Sequence, residues 1–213
     1  MSVELSRRAF IQKGGGAALA AAAVGTTAAH AQAKETVKVG VVGVGARGTS
    51  LVGILLDIPG VEVTAIGDIN TDNLERAQKM VTDKGRKKPD GYSRGDRDFE
   101  RLCDRTDLDA VITATPWEWH TPVAVAAMKA GKYAATEVPA AVTLEECWQL
   151  VETSEKTGQP CMMMENVNYF RNVMMVLMII RKGLFGELLH FEAGYQHDVR
   201  FVKFNDKGNL LWR

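Results

Sequence analysis

The sequence predicts an α/β fold: a doubly wound parallel sheet with helices on both faces, followed by the start of an incomplete α+β open-sheet domain. Three observations predict it. From Val37 onward, β-branched apolar runs of strand length alternate with segments of helical period. A glycine-rich hexamer follows the first run directly and opens the first helix. After Asn166 the alternation stops, and one amphipathic segment leads into a loosely alternating stretch from Glu187 to Tyr195. At 213 residues and 46% hydrophobic content, the chain can bury an ordinary globular core.

The first 33 residues are set apart from the fold. Ser6-Arg7-Arg8-Ala9-Phe10-Ile11 resembles the twin-arginine export motif, with the usual lysine one place late at Lys13. Gly14 to Ala29 is an uncharged run of small residues, followed by the A-x-A sites Ala29-His30-Ala31 and Ala31-Gln32-Ala33. The run is shorter than the ~20 residues a membrane span needs, and it is built of Ala and Gly rather than Leu and Ile. Residues 1–33 are therefore expected to be a signal peptide read by the twin-arginine machinery. The protein is then periplasmic or secreted, with no stable membrane span.

The elements follow in order. Val37 to Val42 reads as a buried strand, residues 46–57 as a helix and Val61 to Ile66 as a second strand. Asn70 to Lys84 is helical, with Asp72 and Glu75 spaced like a capping box. The basic Gly- and Pro-containing stretch Gly85 to Gly95 reads as a loop. Asp109 to Ala114 is a strand; Pro122 suits a first helical position and Gly131 the stop of that helix. Lys132 to Thr136 is a short strand, Thr143 to Glu146 a capping box opening a helix to about Lys156, and Pro160 to Glu165 a further strand. Residues 170–182 form an amphipathic helix whose core face is expected to carry Met174, Met175 and Met178. Strands and helices in this order build right-handed βαβ units. The stretch from Glu187 to Tyr195 would begin a new sheet with no partner strands behind it, so the chain is expected to be cut short. The domains are then 34–166, and 167–213 as the beginning of a truncated second domain.

Charge and cysteine content exclude several classes. With 26 basic and 26 acidic residues, nothing in the balance favours nucleic acid or an anionic membrane. Cys103, Cys147 and Cys161 form no CxxC and no cluster with histidine, so they read as small core residues and no metal site is expected.

The hexamer Gly43-Val44-Gly45-Ala46-Arg47-Gly48 is a G-x-G-x-x-G between a strand and a helix, where a dinucleotide needs it. Gly43 permits the tight turn, Gly45 lets the backbone approach a pyrophosphate, and Gly48 lets the helix pack close to the sheet. Asp68 ends the second strand, 20 residues after Gly48, where a carboxylate accepts ribose hydroxyls and repels a 2′-phosphate. Ile69-Asn70 supply no arginine to welcome such a phosphate, so NAD is expected rather than NADP. This is the Rossmann arrangement.

These segments, with Thr115-Pro116, His120 and Glu137-Val138-Pro139, resemble the Gfo/Idh/MocA oxidoreductase family. Most members carry Glu-Lys-Pro where this chain has Val138, and valine can neither donate a hydrogen bond nor carry charge. Trp117-Glu118-Trp119-His120, Glu137-Val138-Pro139, Met164-Glu165-Asn166 and Gly194-Tyr195-Gln196-His197-Asp198 are similar to glycoside hydrolase family 109, whose activity is NAD-dependent α-N-acetylgalactosaminidase. That resemblance places NAD contacts on Ala46, Arg47, Asp68, Trp117, Glu118, Trp119, His120, Glu137, Val138 and Asn166. It places sugar contacts on Tyr195 and Arg213, and continues past Arg213 to a further motif with a catalytic histidine. Tyr195 and His120 are the candidate catalytic groups within the chain, and His197 is a weaker one.

The resemblance implies a redox-assisted elimination: transient oxidation at the sugar C3, loss of the C2 proton and the glycoside, water addition and re-reduction. A homo-oligomeric assembly is kept as an expectation. Two alternatives stay open: a periplasmic sugar oxidoreductase of the same family, and a non-catalytic NAD-binding fragment.

Overall fold

A computed structural model of the chain describes residues 36–194, together with 196 and 198. The 1–33 signal reading, Tyr195, His197 and Arg213 lie outside the described residues. Six parallel strands form one sheet: β1 (Val37–Val42), β2 (Val61–Gly67), β3 (Asp90–Tyr92), β4 (Ala110–Thr113), β5 (Tyr133–Thr136) and β6 (Cys161–Met163). Their order across the sheet is β3-β2-β1-β4-β5-β6, so β1 and β4 meet in the middle where the winding reverses. Asp109 fixes that junction, accepting the Lys38 N–H on its carboxylate at 2.8 Å.

Side-chain alternation along β1 divides the core. Val39 and Val41 face α1 (Ala46–Leu56) and α2 (Thr71–Asp83), packing against Val52, Leu56, Leu74 and Val81. On the other face, Val42 packs with Leu102 of α3 (Asp98–Cys103) and with Val123, Ala127 and Met128 of α4 (His120–Lys129). Helix α5 (Leu144–Thr157) lies beside α4 and is opened by a complete capping box between Thr143 and Glu146. The α/β architecture is thus as the sequence predicts.

The local differences have physical causes. The stretch read as a loop contains β3 and leads to α3, which are three and six residues long and too short for a period to register. Helix α2 is capped two residues before Asp72: the Asn70 side chain accepts the N–H groups of Asp72 and Asn73 at 2.9 and 3.2 Å. Pro122 occupies the third helical position of α4 rather than the first, still within the turn whose N–H groups need no helical acceptor.

Helix α6 (Arg171–Arg181) does not bury its methionines. Met174, Met175 and Met178 are 38%, 56% and 46% exposed, because no layer of the described residues covers that face. The stretch 187–194 is likewise not a strand; it finds no ladder partner among the described residues, and Leu189 and Phe191 stand in the open.

The cysteines divide by environment. Cys103 is buried, and desolvation pushes its thiol up to about 12; burial also raises the half-buried Cys161. Cys147 is exposed on α5, contrary to the expectation of a core residue. All three are free. In mildly alkaline buffer an alkylating reagent is expected to label Cys147 within minutes and Cys103 only after unfolding. Peptide mass spectrometry reads the difference, and equal labelling of the two would contradict the packing of α3.

Candidate functional site

The loops leaving β1, β2 and β4 enclose a cavity of about 640 Å³ at the carboxyl edge of the sheet. Gly43, Gly45, Ala46, Arg47, Asp68 and Trp119 all line it, brought together from three separate segments. The hexamer's three glycines do three different jobs. Gly43 has φ +81° and leaves no room for a side chain, since a Cβ there would lie 2.6 Å from the Thr115 nitrogen. A Cβ on Gly48 would lie 1.8 Å from the Gly43 carbonyl oxygen, so α1 approaches the loop backbone to backbone. A Cβ on Gly45 would meet nothing within 4 Å, yet Gly45 lines the cavity.

Gly45 is also the N-cap of α1, with no side-chain cap and no acidic residue in the first turn. The first-turn N–H groups are therefore left for an anion, with the positive end of the helix dipole behind them. Asp68 holds the loop shape. Its Oδ2 accepts the Val44 N–H at 2.7 Å and its Oδ1 the Asn70 N–H at 2.8 Å, leaving further lone pairs for ribose hydroxyls. An open cradle at a helix N-terminus, with a carboxylate at the end of β2, fits an adenine dinucleotide.

The far wall is aromatic and acidic. Trp119 packs edge-on against Phe99 with ring centroids 5.9 Å apart, and both line the cavity with Tyr92. Asp98 also lines it; the Arg101 guanidinium holds its carboxyl below the ordinary value against the opposing effect of burial, and the Arg94 N–H assists. Tyr92 ends β3 and Asp98 and Phe99 follow it, so the reading of 85–95 as a loop missed this side of the wall.

The remaining expected contacts are not among the residues lining the cavity. Glu137 is 8% exposed, and its Oε1 takes the Arg47 Nε at 2.6 Å and Nη2 at 2.5 Å, joining the end of β5 to the start of α1. His120 is 1% exposed. Its Nδ1 lies 2.7 Å from the Pro139 carbonyl oxygen and its Nε2 2.9 Å from that of Thr115. The expectation of a catalytic His120 is therefore corrected: both ring nitrogens are engaged by backbone and neither faces the cavity, so it is a strut between the loops after β4 and β5. Trp117 is half-exposed, and neither it, Glu118, Val138 nor Asn166 lines the cavity. Asn166 begins a 3₁₀ turn whose Val167 N–H is capped by Glu165.

Sequence reasoning missed Arg76. Its Nη2 lies 2.8 Å from Asn73 Oδ1 and 3.3 Å from the Val44 carbonyl oxygen, within the glycine-rich hexamer. A second cavity, of about 460 Å³, opens at the amino edge of the sheet between Lys38, Arg86 and Arg105, away from the edge where such sheets bind ligands. No group of three metal-ligating side chains occurs among the described residues, and no helix among them is long and apolar enough to cross a membrane.

Strand order, glycine cradle and Asp68 together define an NAD-binding Rossmann protein. Comparison with known proteins gives the particular family: the chain belongs to the Gfo/Idh/MocA oxidoreductase family, whose NAD-binding Rossmann fold matches residues 37–165. Residues 169–211 match the C-terminal domain of glycosyl hydrolase 109. An α-N-acetylgalactosaminidase of Shewanella oneidensis is 49% identical over 167 residues, which cover 78% of this chain and 36% of that protein. A glycosyl hydrolase family 109 protein of Saccharopolyspora erythraea is 47% identical over 174 residues, 82% of this chain and 38% of that one. The chain thus spans about two fifths of the length of the curated relatives it matches. Among solved structures, a scyllo-inositol dehydrogenase from Lactobacillus casei with bound NAD(H) and scyllo-inositol superposes with TM-score 0.63 at 19% identity, covering 71% of this chain and 43% of that one. It shares the fold.

Proposed function

We propose that this chain is the cofactor-binding part of an NAD-dependent glycosidase acting on α-N-acetylgalactosaminides. One observation carries the reading. The cradle for a dinucleotide is tied by the Arg47–Glu137 pair to Glu137-Val138-Pro139, where the place of a dehydrogenase-type lysine is held by an uncharged side chain. The 49% identity to a protein named α-N-acetylgalactosaminidase supports the same substrate class.

In this reading the α1 N-terminus and Gly45 seat the pyrophosphate, and Asp68 accepts the adenosine ribose hydroxyls. Arg47 reaches the phosphates while Glu137 fixes its guanidinium plane. NAD, when bound, supplies the redox chemistry that makes transient oxidation at the sugar C3 and its reversal available. Tyr195 is assigned to the sugar, as a phenol that can donate or accept a proton, and Arg213 to sugar binding. His120 holds together the loops after β4 and β5. We assign residues 34–166 to the cofactor domain and 167–213 to the opening of the sugar-binding domain. Residues 1–33 are assigned to twin-arginine export, which places the protein in the periplasm or outside the cell.

The test has two stages. Denaturing the purified chain is expected to release one dinucleotide per chain, or the chain is expected to bind added NAD. A version extended to the relatives' length is then expected to release the aryl group from an aryl α-N-acetylgalactosaminide, which a sugar oxidoreductase would leave intact. Oxidation of free sugar with no aryl release would replace the glycosidase reading with the oxidoreductase one.

A further inference from the structure

We propose that the cleft at the amino edge of the sheet is a second ligand site, in which Lys87 and Lys88 hold a phosphate dianion, free or esterified to a small molecule. Charge is the first observation. Five basic side chains line the cleft (Lys38, Arg86, Lys87, Lys88 and Arg105) against three acidic ones, a surplus of two positive charges. The chain as a whole has 26 of each sign, so the surplus is local. Two of the cleft's acids are already neutralised. Arg105 pairs with both Asp90 and Asp107, and its guanidinium holds the Asp107 carboxyl below the ordinary value. Lys38 Nζ stands 3.9 Å from the same Asp107. Arg86, Lys87 and Lys88 pair with no carboxylate among the described residues.

The loop that carries the two lysines is held at both ends. Arg86 donates from Nη1 to the Val61 carbonyl and from Nη2 to the Leu56 carbonyl, each at 2.8 Å. Those bonds tie the loop to the start of β2 and the end of α1. At the other end, the buried Gln78 of α2 donates from Nε2 to the Pro89 carbonyl at 2.8 Å. Lys87 and Lys88 stand exposed between these anchors, so the backbone beneath two uncompensated ammonium groups is fixed in advance. A compact dianion is the ligand that such a pair fits, as charge-assisted donors to phosphate oxygens. The floor adds an unpartnered polar group. The β1–β2 register skips Thr64, which lines the cleft, and its buried hydroxyl is bonded to no other group. At about 460 Å³ the cleft also has room for an organic body on the phosphate, and Glu62 can accept a hydroxyl of that body. This site is independent of the dinucleotide reading. Five residues of β1, about 16 Å of strand, separate Lys38 from Gly43.

Calorimetric titration of the 213-residue chain at low ionic strength, with inorganic phosphate and with glucose 6-phosphate, tests this. Saturable binding is expected with a Kd of about 1 mM or below. A tighter fit for glucose 6-phosphate identifies an ester as the ligand, and equal binding of the two identifies the free ion. The double variant Lys87→Gln/Lys88→Gln is expected to weaken both probes about tenfold or more, through loss of two charge-assisted hydrogen bonds. Lys129→Gln/Lys182→Gln removes the same charge elsewhere and should change Kd by less than about twofold. Thermal melts check that both variants fold. Phosphate seated in the glycine cradle would ignore the Lys87 and Lys88 substitutions, so an unchanged Kd in that variant overturns the site. Equal weakening by the control pair, or no saturation by either probe up to about 10 mM, overturns it too. The NAD site stands in each of these cases.

Discussion

Gly45→Ala is expected to lose dinucleotide binding while the chain stays folded, whereas Gly48→Ala loses both binding and stability. The two glycines belong to one hexamer, but their surroundings differ. An alanine methyl on Gly45 meets no protein atom within 4 Å and the backbone there has φ −61°, so folding loses at most about 1 kcal/mol. The methyl instead enters the space where the pyrophosphate must touch backbone, which costs roughly 3 kcal/mol of binding, or about a hundredfold in Kd. A methyl on Gly48 lies 1.8 Å from the Gly43 carbonyl oxygen, and Gly43 is itself wedged against Thr115. Neither backbone can yield, so α1 must move off the sheet at a cost of roughly 2–4 kcal/mol, about 5–15 °C in thermal midpoint. Paired melting curves and NAD titrations read the contrast. Equal melting of the two variants would mean that Gly48 is not the close contact described.

His120→Ala is expected to cost far more stability than Gly45→Ala, although the His120 side chain does not line the cavity. Both acceptors are carbonyl oxygens, so a neutral ring donates to one and an imidazolium to both. Truncation removes these donors, opens a void at a site 1% exposed and frees the loops after β4 and β5 from each other. The expected loss is roughly 3–5 kcal/mol, about 6–20 °C in midpoint, with weakened NAD binding as a secondary effect. His120→Gln keeps one amide donor and should fall between. A His120→Ala chain melting within about 2 °C of the parent would sink the strut assignment.

The sequence disclosed the site's chemistry better than its geometry. Gly43, Gly45, Gly48 and Asp68 were legible because each answers a backbone requirement that few residues meet, at a spacing fixed by one strand, one turn and one helix. Arg76 was not, because it stands eight positions past Asp68 and reaches the loop only when α2 folds back over it. Strand β3 was hidden for a similar reason. Asp90–Tyr92 is held by pairing with Ala65 to Gly67, a long-range fact that leaves no local pattern. The methionines of α6 show the converse error, since an apolar stripe announces that something must cover it without saying what. His120 was identified as a site residue, but its side-chain type could not say whether it serves chemistry or architecture.

The strand order also sets a timetable for synthesis. β1 lies at the centre of the sheet, and the junction that joins it to β4 brings together Lys38 and Asp109, separated by 71 residues. At about 5–20 residues per second, a ribosome needs roughly 4–14 s to make the intervening chain. Throughout that interval β1 can pair with β2 alone, and its other edge, Val39–Val42, presents unpaired N–H and C=O groups flanked by valines. Whatever reaches that edge before β4 emerges, a chaperone or a neighbouring nascent chain, decides whether the polypeptide matures or aggregates.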